Sequence, residues 1–447
     1  MDITGHWTER QLTAAPHGHI LTNTAVWSPD SRWIVYDVRS DAAGSQFDGE
    51  RIERVNVDSG EVQVLYDSSK AAAGDGACCG VATCSPTDDR VVFIHGPERP
   101  TPDWQYGPTH RRGVIVDAAA PGRARTLDAC DLTPPFTPGA LRGGSHVHVF
   151  SNDGSWISFT YEDHVLAVGE DQEAVAAGRA DANQRNVGVA VPGRPVTVPR
   201  SHPRNHDGEY FSVLVTRTVN VPAPGSDEIS RAEGDAWVGR AGYQRADGAW
   251  QRRAIAFLGD VVAADGRKLT ELFLVDIPDD VTQAGDGPLE GTLQRRPAPP
   301  RGVVQRRLTY TADRWHPGIQ GPRHWVRSSP DGEAIATLLR DDAGVVQLWT
   351  VSPNGGELRQ LSRGRFDVSS AFTWSPEGTH LAYVADECVW VIDAASGEST
   401  RLTPRAEHAR PPRPEACVFS PDGRAVAYLR PVADGGREFN QVFVVGR

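Results

Sequence analysis

The chain is nearly without lysine: among its 46 basic residues only Lys70 and Lys268 are lysines, and it has a single methionine. With 45 glycines and 33 prolines beside so much arginine, this is the usage of a biased genome before it is a functional signal. Positive charge is in deficit overall, with a net charge of −12. That argues against a nucleic-acid partner or an anionic membrane surface, because phosphates are held by clustered positive charge; a local basic pocket stays compatible with it. No apolar window approaches the length of a membrane span, and the opening "MDITGHWTERQLT" has no basic segment followed by an apolar run. The expectation is a soluble, cytoplasmic protein. Six cysteines (Cys78, Cys79, Cys84, Cys130, Cys388, Cys417) form neither a CxxC pair nor a regular framework, so buried free thiols are expected over disulfides or metal ligands. Also missing are a Gly-x-Ser-x-Gly nucleophile elbow and a phosphate-cradling glycine loop.

What the chain has is repetition. A turn of the Ser-Pro-Asp-Gly type precedes an alternating apolar run at Ser28, Ser85, Ser151, Asn205, Ser329, Ser375 and Ser420. Pro presets φ, Asp bonds nearby amides and Gly takes positive φ, so each copy is a hairpin turn. Out of phase with it runs a second element: "RQLT" 10–13, "QVLY" 63–66, "RTLD" 125–128, "PVTV" 195–198, "RRLT" 306–309, "RQLS" 359–362 and "TRLT" 400–403. Each unit reads as four antiparallel strands, A (innermost) to D, with the turn joining A to B. The fold class is all-β, a seven-bladed β-propeller forming one domain over 1–447. The N-terminal strand, 8–13, is expected to pair beside 440–446 and complete the last blade. The 124 residues between Asn205 and Ser329 break the spacing, and 221–270 is read as an elaborated insertion in blade four. The Pro/Gly-rich stretch 283–302 is read as a surface loop.

Histidines gather in the segments that lead from strand D into the next strand A: nine of fourteen, at 17, 19, 146, 148, 202, 206, 316, 324 and 408. These segments open at one mouth of the central channel. In "HVHVFSNDG", alternation projects His146 and His148 to the same side. Imidazoles from neighbouring blades are suited to bind a divalent metal or to act as acid and base near neutral pH. His19, His146, His148, His202 and His324 are therefore expected to face one cavity.

The Ser-Pro-Asp-Gly repeats resemble those of TolB-type propellers, and "GPRHWVRSSPDG" with "DDAGVVQLWTVSPNGGE" is most similar to an uncharacterised bacterial family of TolB-like propellers. "HVHVFSNDG" and "RHWVRSSPDG" more distantly resemble oligogalacturonate lyase, a propeller that binds manganese through histidines and a glutamine and eliminates across a uronic acid. Gly143 stands where that family has its glutamine, so Gln320 from another blade is the substitute. The resemblance implies a divalent metal, manganese, on His146, His148, His324 and Gln320. Arg204 or Arg142 would clamp the substrate carboxylate, His202 or His206 would be the base, and His19, Arg323 and Trp325 would line a site for a small uronic-acid oligosaccharide. Two other readings stand beside this one: a non-enzymatic scaffold for a protein partner, and a glycoside hydrolase using a carboxylate pair such as Asp367 and Glu415.

Overall fold

The computed structural model describes residues 5–41, 44, 46–71, 78–169, 171–405 and 410–447. Seven four-stranded antiparallel sheets follow one another around a ring. Their innermost strands are Gly18–Ile20, Cys79–Cys84, Gly143–Phe150, Ala232–Trp237, Arg327–Ser328, Thr373–Trp374 and Cys417–Phe419. The last sheet is completed by Thr8–Gln11, which pairs with Arg437–Gly446 from Thr8↔Gly446 to Gln11↔Phe443. This closure, as expected, joins the two ends of the chain in one sheet and leaves no open seam in the ring. Among the described residues helix is confined to Ser68–Ala71, His164–Val168 and Gln172–Ala176, and none is long and apolar enough to cross a membrane. All six cysteines are free thiols.

The repeated turn works through one hydrogen-bond pattern. In Ser28, Ser151, Ser329 and Ser420 the hydroxyl donates to the aspartate two residues on at 2.5 to 2.6 Å. The same oxygen accepts the amide five residues on, at 2.9 to 3.0 Å. Each turn therefore closes its A–B hairpin before any packing is made. Between blades, side chains of one inner strand bond the backbone of the next. Trp27, Trp237 and Trp374 each donate Nε1 to a carbonyl of the preceding inner strand (Val418, Val149 and Arg327). Thr22, Thr83 and Thr373 donate to the following one (Ala82, His148 and Cys417). Apolar residues fill the space between adjacent sheets, as Val187, Val213, Ile255, Phe257 and Phe273 do between blades three and four. Fully burying a side chain of this size contributes about 1.5–3 kcal/mol.

The blade count holds, but blade four is built differently from its expected form. Residues 221–270 are not an insertion: they supply its strand A and its strand B, Arg253–Val262, paired from Ala232↔Gly259 to Trp237↔Ile255. What is inserted is a short hairpin between them, Tyr243–Gln244 against Trp250–Gln251. The Asn205 turn belongs to blade three. There, 192–210 makes an excursion, bridged to itself at Val196↔Gly208 and to the segment before strand A at Cys130↔His206, before strand D, Phe211–Leu214, pairs with Gly188–Val191. The copy misleads because Asn205 lacks the serine hydroxyl that closes the other turns; Asp207 instead accepts Val198 N and pairs with Arg200, tightening the excursion. Residues 283–302 connect strands C and D of blade four and dock on blade three, where the Thr292 and Arg295 carbonyls accept from Arg142.

Three inner strands carry a bulge. The register shifts at Gly80/Thr83, His146/Val149 and Glu233/Ala236, with Val81, Val147 and Gly234 at φ of 57°, 56° and 69°. A β-branched residue in the left-handed region costs about 1–3 kcal/mol, so Val81 and Val147 are held there by the ring around them.

Candidate functional site

The bulge decides the fate of the paired histidines. With one extra residue between His146↔Thr160 and Val149↔Ser158, the two imidazoles leave opposite faces of the strand and do not converge. His148 turns toward blade two, its Nε2 at 2.9 Å from Ser145 Oγ, which in turn donates to the buried Asp128 at 3.1 Å. Burial lowers its pKa to about 3. His146 turns toward blade four, sharing a small pocket with Arg185, Glu233, Arg323, His324 and Trp325. Burial first, then the field of Arg111 and Arg185, holds it well below the ordinary histidine range.

The other expected ligands are committed elsewhere. His324 donates from Nδ1 to the Pro322 carbonyl at 2.9 Å, and its Nε2 lies 3.2 Å from Thr337 Oγ1 and 3.4 Å from Leu338 N. Gln320 donates to Pro317 O and accepts from Arg340. Among the described residues no three of His, Cys, Asp and Glu are placed to hold an ion, so the quartet read from the sequence does not fit manganese. Arg142 is no substrate clamp either. It is 1 % exposed, ion-paired to Asp163 at 2.8 Å, and its other nitrogens go to the Thr292 and Arg295 carbonyls. His19 is buried, donates to Asn440 O at 2.8 Å and stacks on His17. Arg323 and Trp325 do meet His146, the guanidinium lying 4.8 Å over the indole. Asp367 caps Val346 N and Glu415 pairs with Arg413. His408 lies outside the described residues.

The residues read as base and clamp assemble in a different place. The 192–210 excursion carries His202, Arg204 and His206 to a cleft of about 360 Å³ between blades two and three, opposite the long B–C connection of blade two. That connection, "GPERPTPDWQYGPTH" at 96–110, supplies Glu98, Arg99, Trp104 and His110, and Arg111 and Arg112 follow it. His110 stacks on Trp104 at 3.8 Å, and Arg204 lies 5.5 Å from the centre of the same indole. Arg204 donates to the carbonyls of Glu98 and Arg99 at 2.7 and 3.2 Å and has no carboxylate within ion-pair distance among the described residues. His202 sits at the rim, 6.1 Å from Trp104, with Nδ1 accepting Arg204 N.

The protonation state of His206 follows from its partners. Its Nδ1 lies 3.0 Å from the Arg204 carbonyl, which can only accept, so the proton of the neutral ring is on Nδ1. Nε2 then carries a lone pair, and it is buried with no hydrogen-bond partner. Burial, reinforced by Arg112, lowers the pKa to about 4. Four arginines line the cleft (Arg99, Arg111, Arg112, Arg204) against two acids, Glu98 and Asp128. Glu98 is paired with Arg112, while burial raises Asp128 to about 6. In a chain of net charge −12, this cleft is a local surplus of positive charge beside an unprotonated imidazole nitrogen. The repeat pattern does not reveal Trp104, Glu98, His110 or Arg112; the signal is the length of the B–C connection, since structureless loops this long are commonly functional.

The family described as a protein of unknown function, DUF3748, matches residues 78–206, a span that contains every residue lining the cleft. The Escherichia coli (strain K12) protein named uncharacterized protein YidR is 49 % identical over 424 residues, covering 94 % of each chain. Among solved structures, an oligogalacturonate lyase in complex with manganese superposes with a TM-score of 0.53 at 12 % identity, over 98 % of this chain and 92 % of that one. An oligogalacturonate lyase from Vibrio parahaemolyticus gives 0.53 at 10 %, over 98 % and 93 %. At such identities the likeness is one of fold.

Proposed function

The chain belongs to the DUF3748 family together with its relative YidR, and from that premise we propose that it is a lyase-like propeller acting on small uronic-acid oligosaccharides in the cleft between blades two and three. The observation that carries this reading is the unpartnered, unprotonated Nε2 of His206 among four arginines. A uronate's C5 proton becomes removable when its carboxylate is neutralised and a base is held at C5. Arg204 and Arg112 would hold the carboxylate, and His206 Nε2 would take the proton. The C4–O bond then breaks, the leaving oxygen is protonated by solvent, and a C4=C5 double bond conjugated with the carboxylate remains. The solved neighbour is an oligogalacturonate lyase with manganese; here the histidines and Gln320 do not form a ligand set, and arginine supplies the positive charge. Trp104 with His110 would form one wall of the sugar site.

The test is incubation with digalacturonate and trigalacturonate. An unsaturated uronide absorbing in the near ultraviolet, lost in His206→Ala, supports the proposal. Release of a saturated sugar would replace it with a hydrolase, and neither turnover nor binding of either oligosaccharide would overturn it.

A further inference from the structure

The opposite end of the channel, on the face of the A–B turns, holds another cavity, of about 210 Å³, reached by inner strands of blades one, three, four, five and six. Its deepest charged group is Arg327. Four arginines of the described residues are buried, and three of them have a carboxylate close by: Arg39 with Asp37 at 2.5 Å, Arg142 with Asp163 at 2.8 Å and Arg430 with Glu9 at 2.9 Å. Arg327 is the fourth, 7 % exposed, and no carboxylate among the described residues comes within 4.0 Å of it. Its NH1 donates to the Val326 carbonyl, its NH2 bonds Asn23, and Nε is buried without a partner. Asp235, the acid whose field reaches it, is turned to the Ser158 and Thr160 hydroxyls and forms no ion pair with it; burial raises the Asp235 pKa.

Among the described residues the cavity itself contains no acid. None of its lining residues is Asp or Glu, and a second arginine, Arg240, stands at the rim, donating to the Pro376 carbonyl. Trp237 and Trp374 wall it, with Asn152, Ser328 and Thr24 among its polar lining. A guanidinium buried without an anion is among the costliest arrangements in a protein interior, and its planar fork matches the two oxygens of a carboxylate or phosphate.

We propose that this cavity is an anion site, separate from the cleft, in which Arg327 with Arg240 at its entrance takes a small oxyanion, a carboxylate or phosphate group, entering from the turn face. It does not depend on the lyase reading, since it shares no residue with the cleft.

Calorimetric titration of the full chain with inorganic phosphate, and separately with acetate, at constant ionic strength tests it. Saturable one-to-one binding of at least one is expected, weakened at least tenfold in Arg327→Gln and several-fold in Arg240→Gln, and unchanged in His206→Ala. Phosphate alone binding would identify a phosphate ligand, and acetate binding a carboxylate. Because Arg327→Gln alters a buried position, Arg240→Gln, at an exposed rim, decides the matter if the first variant does not fold. Absence of saturable binding by the wild type to either anion, or unaltered binding in Arg240→Gln and in a folded Arg327→Gln, overturns the proposal.

Discussion

Two parts of blade three carry histidines at close spacing and treat them in opposite ways. On strand A, His146 and His148 are held by sheet pairing and a bulge, each face of the strand is claimed by a neighbouring blade, and His148 ends in a buried bond to Ser145. On the 192–210 excursion, His202 and His206 belong to no sheet, and His206 keeps Nε2 unbonded beside arginines. A strand in a closed ring packs both its faces, so its side chains are enclosed between neighbouring blades: the Nδ1 atoms of His146 and His148 are also without hydrogen-bond partners, but they lie outside the arginine-lined cleft. A loop leaning on the ring is positioned by it without being consumed.

The largest expected effect breaks the packed side of this comparison. Arg142→Ala leaves Asp163 buried without its partner, and should lower the unfolding free energy by about 3–5 kcal/mol in a denaturant titration. Arg204→Ala, in the cleft, should cost no more than about 1 kcal/mol by the same measurement. If the two losses were equal, the division between structural and free residues would be wrong. Turnover sharpens it from the other side. His206→Ala should reduce the rate about 10²- to 10⁴-fold with little change in stability; an equal loss of rate in a folded His148→Ala would restore the paired histidines to the site. Elemental analysis of untagged protein checks the same point, since stoichiometric divalent metal lost in His146→Ala/His148→Ala would contradict the placement of those side chains.

Acidification should show the packed histidines collectively. Burial lowers His19 and His148 to about 3 and His95 and His324 to about 4, against 6.5 when unfolded. Below pH 6.5 the unfolded chain therefore binds more protons, so stability is full above about pH 6.5 and falls as pH drops toward 4, each group adding a slope of up to about 1.4 kcal/mol per pH unit. Unfolding free energy that stays flat from pH 7 to pH 5 would mean that these rings are not buried as described. The rate, by contrast, should stay level down to about pH 5, because His206 is held near 4. Among the packed residues the smallest effect is that of Trp374→Phe, which removes the Nε1 bond to Arg327 O and should cost about 1 kcal/mol by thermal or denaturant unfolding.

Particular residues show how far sequence reading reached. Ser28-Pro29-Asp30 and its true copies are closed by bonds between residues two to five apart, and such local chemistry is visible in the order of residues. The density of histidines points to His202 and His206, and they do lie together with Arg204, though for a reason the repeat pattern hides: the Asn205 copy is part of an excursion and not of a blade. Arg142 reads as a clamp in the sequence because nothing in its neighbourhood announces Thr292 and Arg295, which lie 150 and 153 residues away.

The sequence by itself determined the number of blades and the closure of the ring, because turn chemistry and strand alternation act over a few residues and repeat. Only the tertiary structure decided which histidines converge. A one-residue bulge at Val147 reverses the direction of His148, and whether an imidazole or a guanidinium is free depends on partners from other blades, whose approach is set by packing around the whole ring and not by any local pattern.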